Sequence, residues 1–252
     1  MAQLTELLEY TNKLLEIDRY KDYAPNGLQV EGKAEVNSIV SGVTASRALI
    51  DAAIKAGADT VLVHHGYFWK GEDPCLVGMK GQRVRSLIKA DLNLLGYHLP
   101  LDAHAELGNN IQLAQLLGFE LEGRFLGDNE TGIGMHGSLS KPLSGEELAA
   151  HIAAKLERTP LHIAGNDKPI KRIAWCTGGA QGYIQQAVAL GVDAYITGEA
   201  SEHTVHTARE CGLHFFAAGH HATERYGVQA LGAHLAEKFG VSHQFIDIEN
   251  PV

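Results

Sequence analysis

The chain has 252 residues, of which 45% are hydrophobic and 20% charged, and its formal net charge is −9. This composition excludes a disordered chain or a coiled coil, and the acidic balance argues against nucleic acid or an anionic membrane as the partner. The 3 cysteines are far apart in sequence, so no disulfide framework is expected. The N-terminus does not resemble a signal peptide, and no apolar run approaches the ~20 residues of a membrane span. A cytoplasmic protein is therefore predicted.

The first part of the chain predicts alternating helices and strands. Leucines recur at helical spacing in residues 3–17, and a turn-rich stretch follows at residues 24–27. Apolar and β-branched runs then alternate with helical patterns, which is typical of parallel βαβ units. The predicted elements are strand 38–43, helix 46–56, strand 60–63, helix 81–90 and strand 93–97.

The same pattern returns later in the chain. A strand over 173–176, a helix over 181–190 and a strand over 194–197 are predicted, and a constant shift of 134 positions relates the two copies. The shift pairs Ile39 with Ile173, Ile50 with Ile184, Ala53 with Ala187, Gly57 with Gly191 and Asp59 with Asp193. The glycine-rich segment 123–134 indicates a boundary. A capping box at Ser144 and Glu147 precedes a helix over 148–156, and a last helix is predicted from about residue 223 to 239. We therefore expect two similar α/β lobes with mixed or mostly parallel sheets.

Histidine is abundant, with 14 residues, and neutral imidazole is a common ligand of transition metals. His64 and His65 end a predicted buried strand, where open α/β sheets bind ligands. Neighbouring side chains of an extended strand point to opposite sides, which would suit two adjacent ions. A pair of hydrogen-bonded loop histidines is the alternative interpretation.

Two further segments also follow predicted strands. His98 and His104 flank Asp102, a hard oxygen ligand that can bridge two cations. His220 and Glu224 are four residues apart, so they lie on one face of a first helical turn and can hold one ion. The alternatives are a turn closed by Pro100 and Asp102, and a helix start at which Thr223 or Glu224 accepts free backbone N–H groups. Three such segments at strand ends favour a metal site over coincidence.

Other polar segments give weaker indications of a functional site. His203 and His206 have helical spacing and are interpreted as surface residues. The segment Thr177–Gly182 could cradle a phosphate on its backbone N–H groups, but it lacks the full dinucleotide spacing, so a plain strand-to-helix corner is favoured. Glu199 occupies the repeat position of His65 and either faces the same cleft or caps a helix.

Five motifs together resemble the Nif-three-like family, whose members are often labelled GTP cyclohydrolase I type two homologues. They are Asn26–Gly32, Val63–Gly66, His98-x-x-Leu-Asp102, Thr197–Glu199 and Gly219–Glu224. The resemblance implies a Nif-three-like fold, a toroidal homohexamer and a dinuclear metal centre. Its ligands would be His64, His65, Asp102, His220 and Glu224, with His98 close by. The metal-binding lobe would comprise residues 1–125 plus 219–252, and the second lobe residues 126–218.

From these residues we expect two divalent ions per chain. The mixed histidine and carboxylate donors suit Mn, Fe, Zn, Co or Ni, and His98 is the candidate proton carrier. The expected function is a metal-dependent hydrolase that uses activated water on an anionic small molecule such as a nucleotide, cyclohydrolase-like by resemblance only. The alternative is a non-catalytic toroidal adaptor or assembly protein with structural metals.

Overall fold

The computed structural model describes residues 1–128 and 130–252. The strands are β1 Ala2–Gln3, β2 Gly27–Val30, β3 Glu35–Val36, β4 Ser38–Thr44, β5 Thr60–His65, β6 Asn93–Gly96, β7 Phe119–Phe125, β8 Gly134–Leu143, β9 Leu161–Ile163, β10 Ile170–Trp175, β11 Ala194–Thr197, β12 His214–Ala217 and β13 Ser242–Phe245. The helices are α1 Leu4–Leu14, α2 Arg47–Lys55, α3 Gly78–Lys89, α4 Leu99–Ala103, α5 Asn109–Leu117, α6 Gly145–Leu156, α7 Ile184–Ala189, α8 Glu202–Cys211 and α9 His220–Phe239. Two compact units result, Met1–Gly108 with Gly227–Glu249 and Asn109–Tyr226 with Asn250–Val252.

The predicted elements are present, with ends that differ by a few residues. Helix α6 begins at Gly145 because the capping box forms as expected. The Glu147 N–H donates to Ser144 Oγ at 3.1 Å, and the Ser144 N–H donates to the Glu147 carboxylate at 2.7 Å. The helix predicted over 181–190 is instead a 3₁₀ turn, Gln181–Tyr183, followed by the short α7.

The first unit contains a five-stranded sheet in the order β13-β4-β5-β6-β2. Strands β13, β4, β5 and β6 are parallel, and β2 is an antiparallel edge. In β5, Val61 and Val63 join one hydrophobic cluster while Leu62 joins the cluster on the other face. All three are fully buried. A strand that is covered on both faces reads as a continuous apolar run, which explains the pattern seen in the sequence.

The second unit contains a six-stranded sheet in the order β7-β8-β10-β11-β12-β9. Its centre, β10-β11-β12, is parallel, and the outer strands are antiparallel. Tyr195 of β11 lies in one core cluster, and its neighbours Ala194 and Ile196 lie in the other. This unit therefore repeats the two-sided burial of the first.

The 134-residue repeat corresponds to a repeated structure. Asp59 accepts hydrogen bonds from the N–H groups of residues 37 and 38, and Asp193 accepts them from residues 171 and 172. The strand registers agree as well, since Ile39 pairs with Thr60 and Ile173 pairs with Ala194. In each unit a buried or half-buried carboxylate thus ties the start of one strand to the next. The prediction of two similar α/β lobes is confirmed.

Along the chain, the two compact units meet between Gly108 and Asn109 and between Tyr226 and Gly227. Helix α5 and strand β7 belong to the second unit, because Leu113, Leu117 and Phe119 pack in the same core cluster as Trp175. The described part of segment 123–134 connects β7 to its hairpin partner β8, and residue 129 lies outside the described residues. Within the described ranges, none of the helices is both long and apolar enough to cross a bilayer.

Candidate metal centre

His64 and His65 end β5, which lies between its parallel neighbours β4 and β6 in the five-stranded sheet. His64 is 1% exposed, and His65 is half-buried. The apolar residues before them fix the strand in the core, so the two imidazoles emerge at its carboxyl end. This is the position that open α/β sheets use for ligands.

The hydrogen bonds of His64 define which ring nitrogen can bind an ion. His64 Nδ1 lies 2.9 Å from the Tyr97 carbonyl oxygen. Because a carbonyl only accepts, Nδ1 carries the proton in the neutral ring and Nε2 carries the lone pair. That Nε2 is 3.4 Å from Oδ1 of Asp102, a residue of α4 that is 7% exposed. A nitrogen and a carboxylate oxygen thus converge in a buried place.

His65 turns to the other neighbouring strand. Its Nδ1 lies 3.1 Å from Thr44 Oγ1 at the end of β4, whereas His64 bonds to Tyr97, directly after β6. Neighbouring side chains of a strand are expected to point to opposite sides, and the Nδ1 atoms of His64 and His65 do bond to opposite neighbouring strands. The rings themselves remain close, with centroids 4.6 Å apart.

His98 completes a histidine cluster, defined here as His64, His65 and His98. One ligand nitrogen from each lies within 4.8 Å of the other two. The His98 ring centroid is 5.0 Å from that of His64 and 5.8 Å from that of His65. Because imidazole suits transition metals, this cluster is a candidate metal-binding site.

Asp22 orients His98, and the sequence analysis did not identify it. Its Oδ1 lies 2.7 Å from His98 Nδ1, and its Oδ2 accepts the Leu99 N–H at 2.9 Å. Burial alone would raise the pKa of Asp22, but the hydrogen bond and charge of His98, with the bonds from Asn26 and Leu99, lower that pKa to about 2. Asn26 lies in the turn-rich stretch and Asp22 four residues before it, and both bond to the His98–Leu99 segment. In the sequence, Asn26 is marked by the motif Asn26–Gly32, whereas Asp22 is marked only by its spacing of four residues from Asn26.

The second unit places His220 beside Glu224 on the first turn of α9. His220 Nε2 is 3.1 Å from Glu224 Oε2, as the spacing of four residues predicts, and the Glu224 side chain is 4% exposed. On the other side of the ring, Nδ1 lies 2.6 Å from Glu199 Oε1. Burial by itself would lower the pKa of His220, but the two carboxylates raise it to about 9. Glu199 therefore holds one nitrogen and directs the other toward Glu224.

The segment Thr177–Gly182 is a plain corner, as favoured from its sequence. Three of its backbone N–H groups are occupied: Thr177 donates to Asn110, Gly178 to Thr223 and Ala180 to Thr197. These groups are not directed at a phosphate. Gly178 has φ +71°, and a Cβ there would collide with the Glu224 carboxylate and lie 3.1 Å from His220 Nε2. The glycine thus leaves room for the His220–Glu224 pair.

Other candidate histidines have structural surroundings. His206 contacts Glu202 at 2.9 Å on the exposed surface of α8. His104 Nδ1 accepts the N–H groups of Glu106 and Leu107, which closes a turn.

The second unit also contains a cavity of about 560 Å³, and Glu199 and Arg158 are among the residues that line it.

Comparisons with known proteins cover the whole length of the chain. The sequence profile of the Duf34/NIF3 (NGG1p interacting factor 3) family matches residues 2–251. A Pseudomonas aeruginosa protein described as a GTP cyclohydrolase 1 type 2 homolog is 59% identical over 248 residues, which are 98% of each chain. An Escherichia coli K12 protein of the same description is 55% identical over 249 residues, again 98% of each chain.

Solved structures agree with this relationship. The structure of protein ybgI, described as being of unknown function, superposes with a TM-score of 0.95 at 53% identity and covers 100% of both chains. The crystal structure of TTHA1606 from Thermus thermophilus superposes with a TM-score of 0.91 at 32% identity, also over 100% of both chains. The similarity therefore extends over both units.

Proposed function

The chain belongs to the Duf34/NIF3 family, and we propose that it is a dinuclear metalloprotein that hydrolyses a nucleotide or another phosphorylated small molecule. The proposed ligands of two divalent ions are His64, His65, Asp102, His220 and Glu224. The observation that carries the proposal is the histidine cluster, in which the Tyr97 carbonyl leaves Nε2 of His64 as the donor atom. The relatives described as GTP cyclohydrolase 1 type 2 homologs agree with a nucleotide substrate.

The donor set fits a transition metal better than calcium. Imidazole nitrogens with carboxylate oxygens suit Mn, Fe, Zn, Co or Ni, whereas calcium prefers oxygen ligands alone. Two such ions supply an acidified water and electrostatic stabilisation of negative charge at neutral pH. Three neutral imidazoles and two carboxylates leave such a centre with a net positive charge. In a chain whose formal net charge is −9, that local charge favours an anionic substrate.

His98 is the proposed proton carrier. The Asp22 carboxylate binds its Nδ1 at 2.7 Å and, with a pKa of about 2, stays ionised at neutral pH. It therefore fixes the orientation of the ring. Nε2, the nitrogen that Asp22 does not use, would exchange the proton with the substrate or its leaving group.

Metal analysis of protein purified without added metal tests the centre. We expect about two ions per chain, and fewer in the Asp102→Ala and Glu224→Ala variants. Glu202→Gln removes an exposed carboxylate beside a histidine and serves as the matched control, with unchanged metal content. Full metal content in both ligand variants would contradict the proposed ligands.

A substrate screen then tests the reaction. Phosphorylated small molecules are incubated with the metal-loaded protein, the chelated protein and the His64→Ala variant. We expect hydrolysis only in the first sample. Equal turnover in all three would remove the metal from the mechanism.

A non-catalytic adaptor that assembles as a ring is the second candidate. Exposed apolar side chains favour it, since Val77 is 68% exposed, Met79 66% and Ile88 60%, and exposed apolar groups are typical of protein interfaces. In that case the metals would be structural. The adaptor hypothesis is supported if the metal-loaded protein turns over no substrate while specific partners co-purify. It is contradicted if a substrate is found.

A further inference from the structure

The loop that follows β5 brings an indole against the histidine cluster. We call residues 66–72 the Trp69 loop. The Trp69 ring meets the His98 ring edge to face, with centroids 5.0 Å apart and planes at 83°. It also lies 6.0 Å from the His65 ring. Trp69 is thus adjacent to two imidazoles of the proposed centre.

Several contacts fix the loop. The Glu72 carboxylate accepts the N–H groups of Phe68 and Trp69 at 3.0 and 3.2 Å. Lys80 lies 3.5 Å from that carboxylate and 5.8 Å from the centre of the Phe68 ring. Phe68 has φ +65°, a left-handed conformation that a bulky residue rarely adopts and that is commoner at functional sites. These contacts therefore hold the backbone of the loop at Phe68 and Trp69.

The two tryptophans of the chain have different surroundings. Trp175 is fully buried, packs on Phe119 and donates its indole N–H to the Asn110 carbonyl. Trp69 is half-buried, and its indole N–H donates to the Gly66 carbonyl within its own loop at 3.2 Å. Because that donor is already used, Trp69 can offer a ligand its apolar ring surface but no hydrogen bond. Trp175 lies where it does because it fills the core, whereas core packing does not explain the position of Trp69.

We propose that Trp69 is a stacking platform for a planar heteroaromatic ring of nucleobase size. The ring would lie on the indole while the phosphate of the same molecule reaches toward the histidine cluster. Base–indole stacking tolerates any base, since it needs only a π-face. The inference rests on the proposed function for the choice of a nucleotide. Ring binding itself requires no hydrolysis and can be measured without metal.

Tryptophan fluorescence tests the proposal directly. Metal-stripped and metal-loaded protein are titrated with adenosine or guanosine 5′-monophosphate, and ribose 5-phosphate is the matched probe without a base. We expect saturable quenching by a nucleotide and none by ribose 5-phosphate. Trp175 is shielded in the core and supplies the unquenched reference emission.

Two substitutions at one position separate stacking from folding. Calorimetric titration should show binding of the nucleotide about tenfold weaker in Trp69→Ala, whereas Trp69→Phe, which keeps an aromatic face, stays within about threefold of wild type. Glu72→Gln loosens the loop while keeping the indole, so we expect weaker quenching there. Circular dichroism of each variant checks that it folds.

Either of two results would overturn the stacking role. One is equal affinity in wild type, Trp69→Ala and Trp69→Phe. The other is ribose 5-phosphate binding as tightly as the nucleotides, which would assign all recognition to the phosphate. Ring-dependent quenching in a protein that hydrolyses nothing would contradict the proposed function alone.

Discussion

Glu199 contacts His220, a proposed metal ligand. Its carboxylate lies 2.6 Å from Nδ1, while Nε2 of the same ring faces Glu224. A carboxylate behind a metal-binding histidine fixes the tautomer and makes the ring a better donor. Its place at the repeat position of His65 marked Glu199 as notable, but only the structure identifies its partner.

Glu199→Gln should weaken metal binding without removing a ligand. Loss of such a partner costs about 10- to 100-fold in metal affinity, because the ring orientation and basicity both suffer. Competition with a chelator of known affinity measures the change. Glu202→Gln, which alters an exposed histidine–carboxylate pair of similar length, should leave the affinity unchanged. Equal affinities in the two variants would contradict this role of Glu199.

Gly178→Ala should combine a backbone cost with loss of metal. Gly178 and Gly57 both have φ +71°, but only at Gly178 would a Cβ meet the Glu224 carboxylate. Each alanine should cost about 1–2 kcal/mol of unfolding free energy for the left-handed conformation. Only Gly178→Ala should also lose bound metal, because Glu224 must move. Urea unfolding and metal analysis measure the two effects, and unchanged metal content in Gly178→Ala would contradict the argument.

The repeated strand–helix–strand unit organises the chemistry at the scale of elements. In both units polar residues lie at or just after the carboxyl ends of two neighbouring parallel strands: His65 and His98 at β5 and β6, and Glu199 and His220 at β11 and β12. The first strand of the repeat, β4 in the first unit and β10 in the second, ends at Thr44 and at Trp175, respectively. Gly178 lies three residues after the end of β10. Short corners at the carboxyl ends of parallel strands bring such residues together.

Asp59 and Asp193 should stabilise their own units. Each accepts two backbone N–H groups, so Asp59→Asn or Asp193→Asn should cost about 1.5–3 kcal/mol. We expect faster amide exchange in β4, β5 and β6 for Asp59→Asn and in β10, β11 and β12 for Asp193→Asn. Hydrogen-exchange mass spectrometry compares the two variants, each serving as the control for the other. Equal acceleration in all six strands would contradict unit-specific roles.

His162 and His214 should make β9 and β12 sensitive to acid. His162 Nε2 and His214 Nδ1 are 3.0 Å apart. Burial lowers the pKa of both rings below 6.5, and the neighbouring His214 lowers the pKa of His162 further. Glu146 opposes this shift at His162. The Asn166 carbonyl, Asp193 and Asp167 oppose it at His214. Because the folded state favours the neutral rings, their stabilising contribution is complete above pH 6.5 and is lost as the pH falls below it.

Amide exchange of β9 and β12 at pH 7 and pH 5 checks this expectation. Exchange, corrected for its intrinsic pH dependence, should be faster at pH 5 in wild type, and the difference should shrink in His162→Gln. His206→Gln, on the exposed surface of α8, is the control. Wild type and His162→Gln with the same pH dependence would contradict the role of the pair.

Metal binding should be visible in the stability of the whole molecule. A ligand that binds only the folded state raises the free energy of unfolding by about 2.7 kcal/mol at 100 times its Kd. Chelation should therefore lower Tm, and re-addition of metal should restore it. The metal-dependent increment should vanish in His64→Ala. An unchanged Tm after complete chelation would contradict a metal that binds preferentially to the folded state.

Light scattering on the same samples tests the expected homohexamer.

The sequence alone determined the two-lobed α/β fold, because apolar runs, helical spacing and glycine stops are local signals that each lobe repeats. The sequence also showed ligand-type residues at strand ends, and the family resemblance of those motifs implied His64, His65, Asp102, His220 and Glu224 as the ligands. Only the tertiary structure decided that Asp22 orients His98, that Glu199 holds His220 and that Trp69 faces the histidine cluster. Those relations depend on hydrogen-bond directions and ring contacts between residues that lie up to 76 positions apart, and no local pattern encodes them.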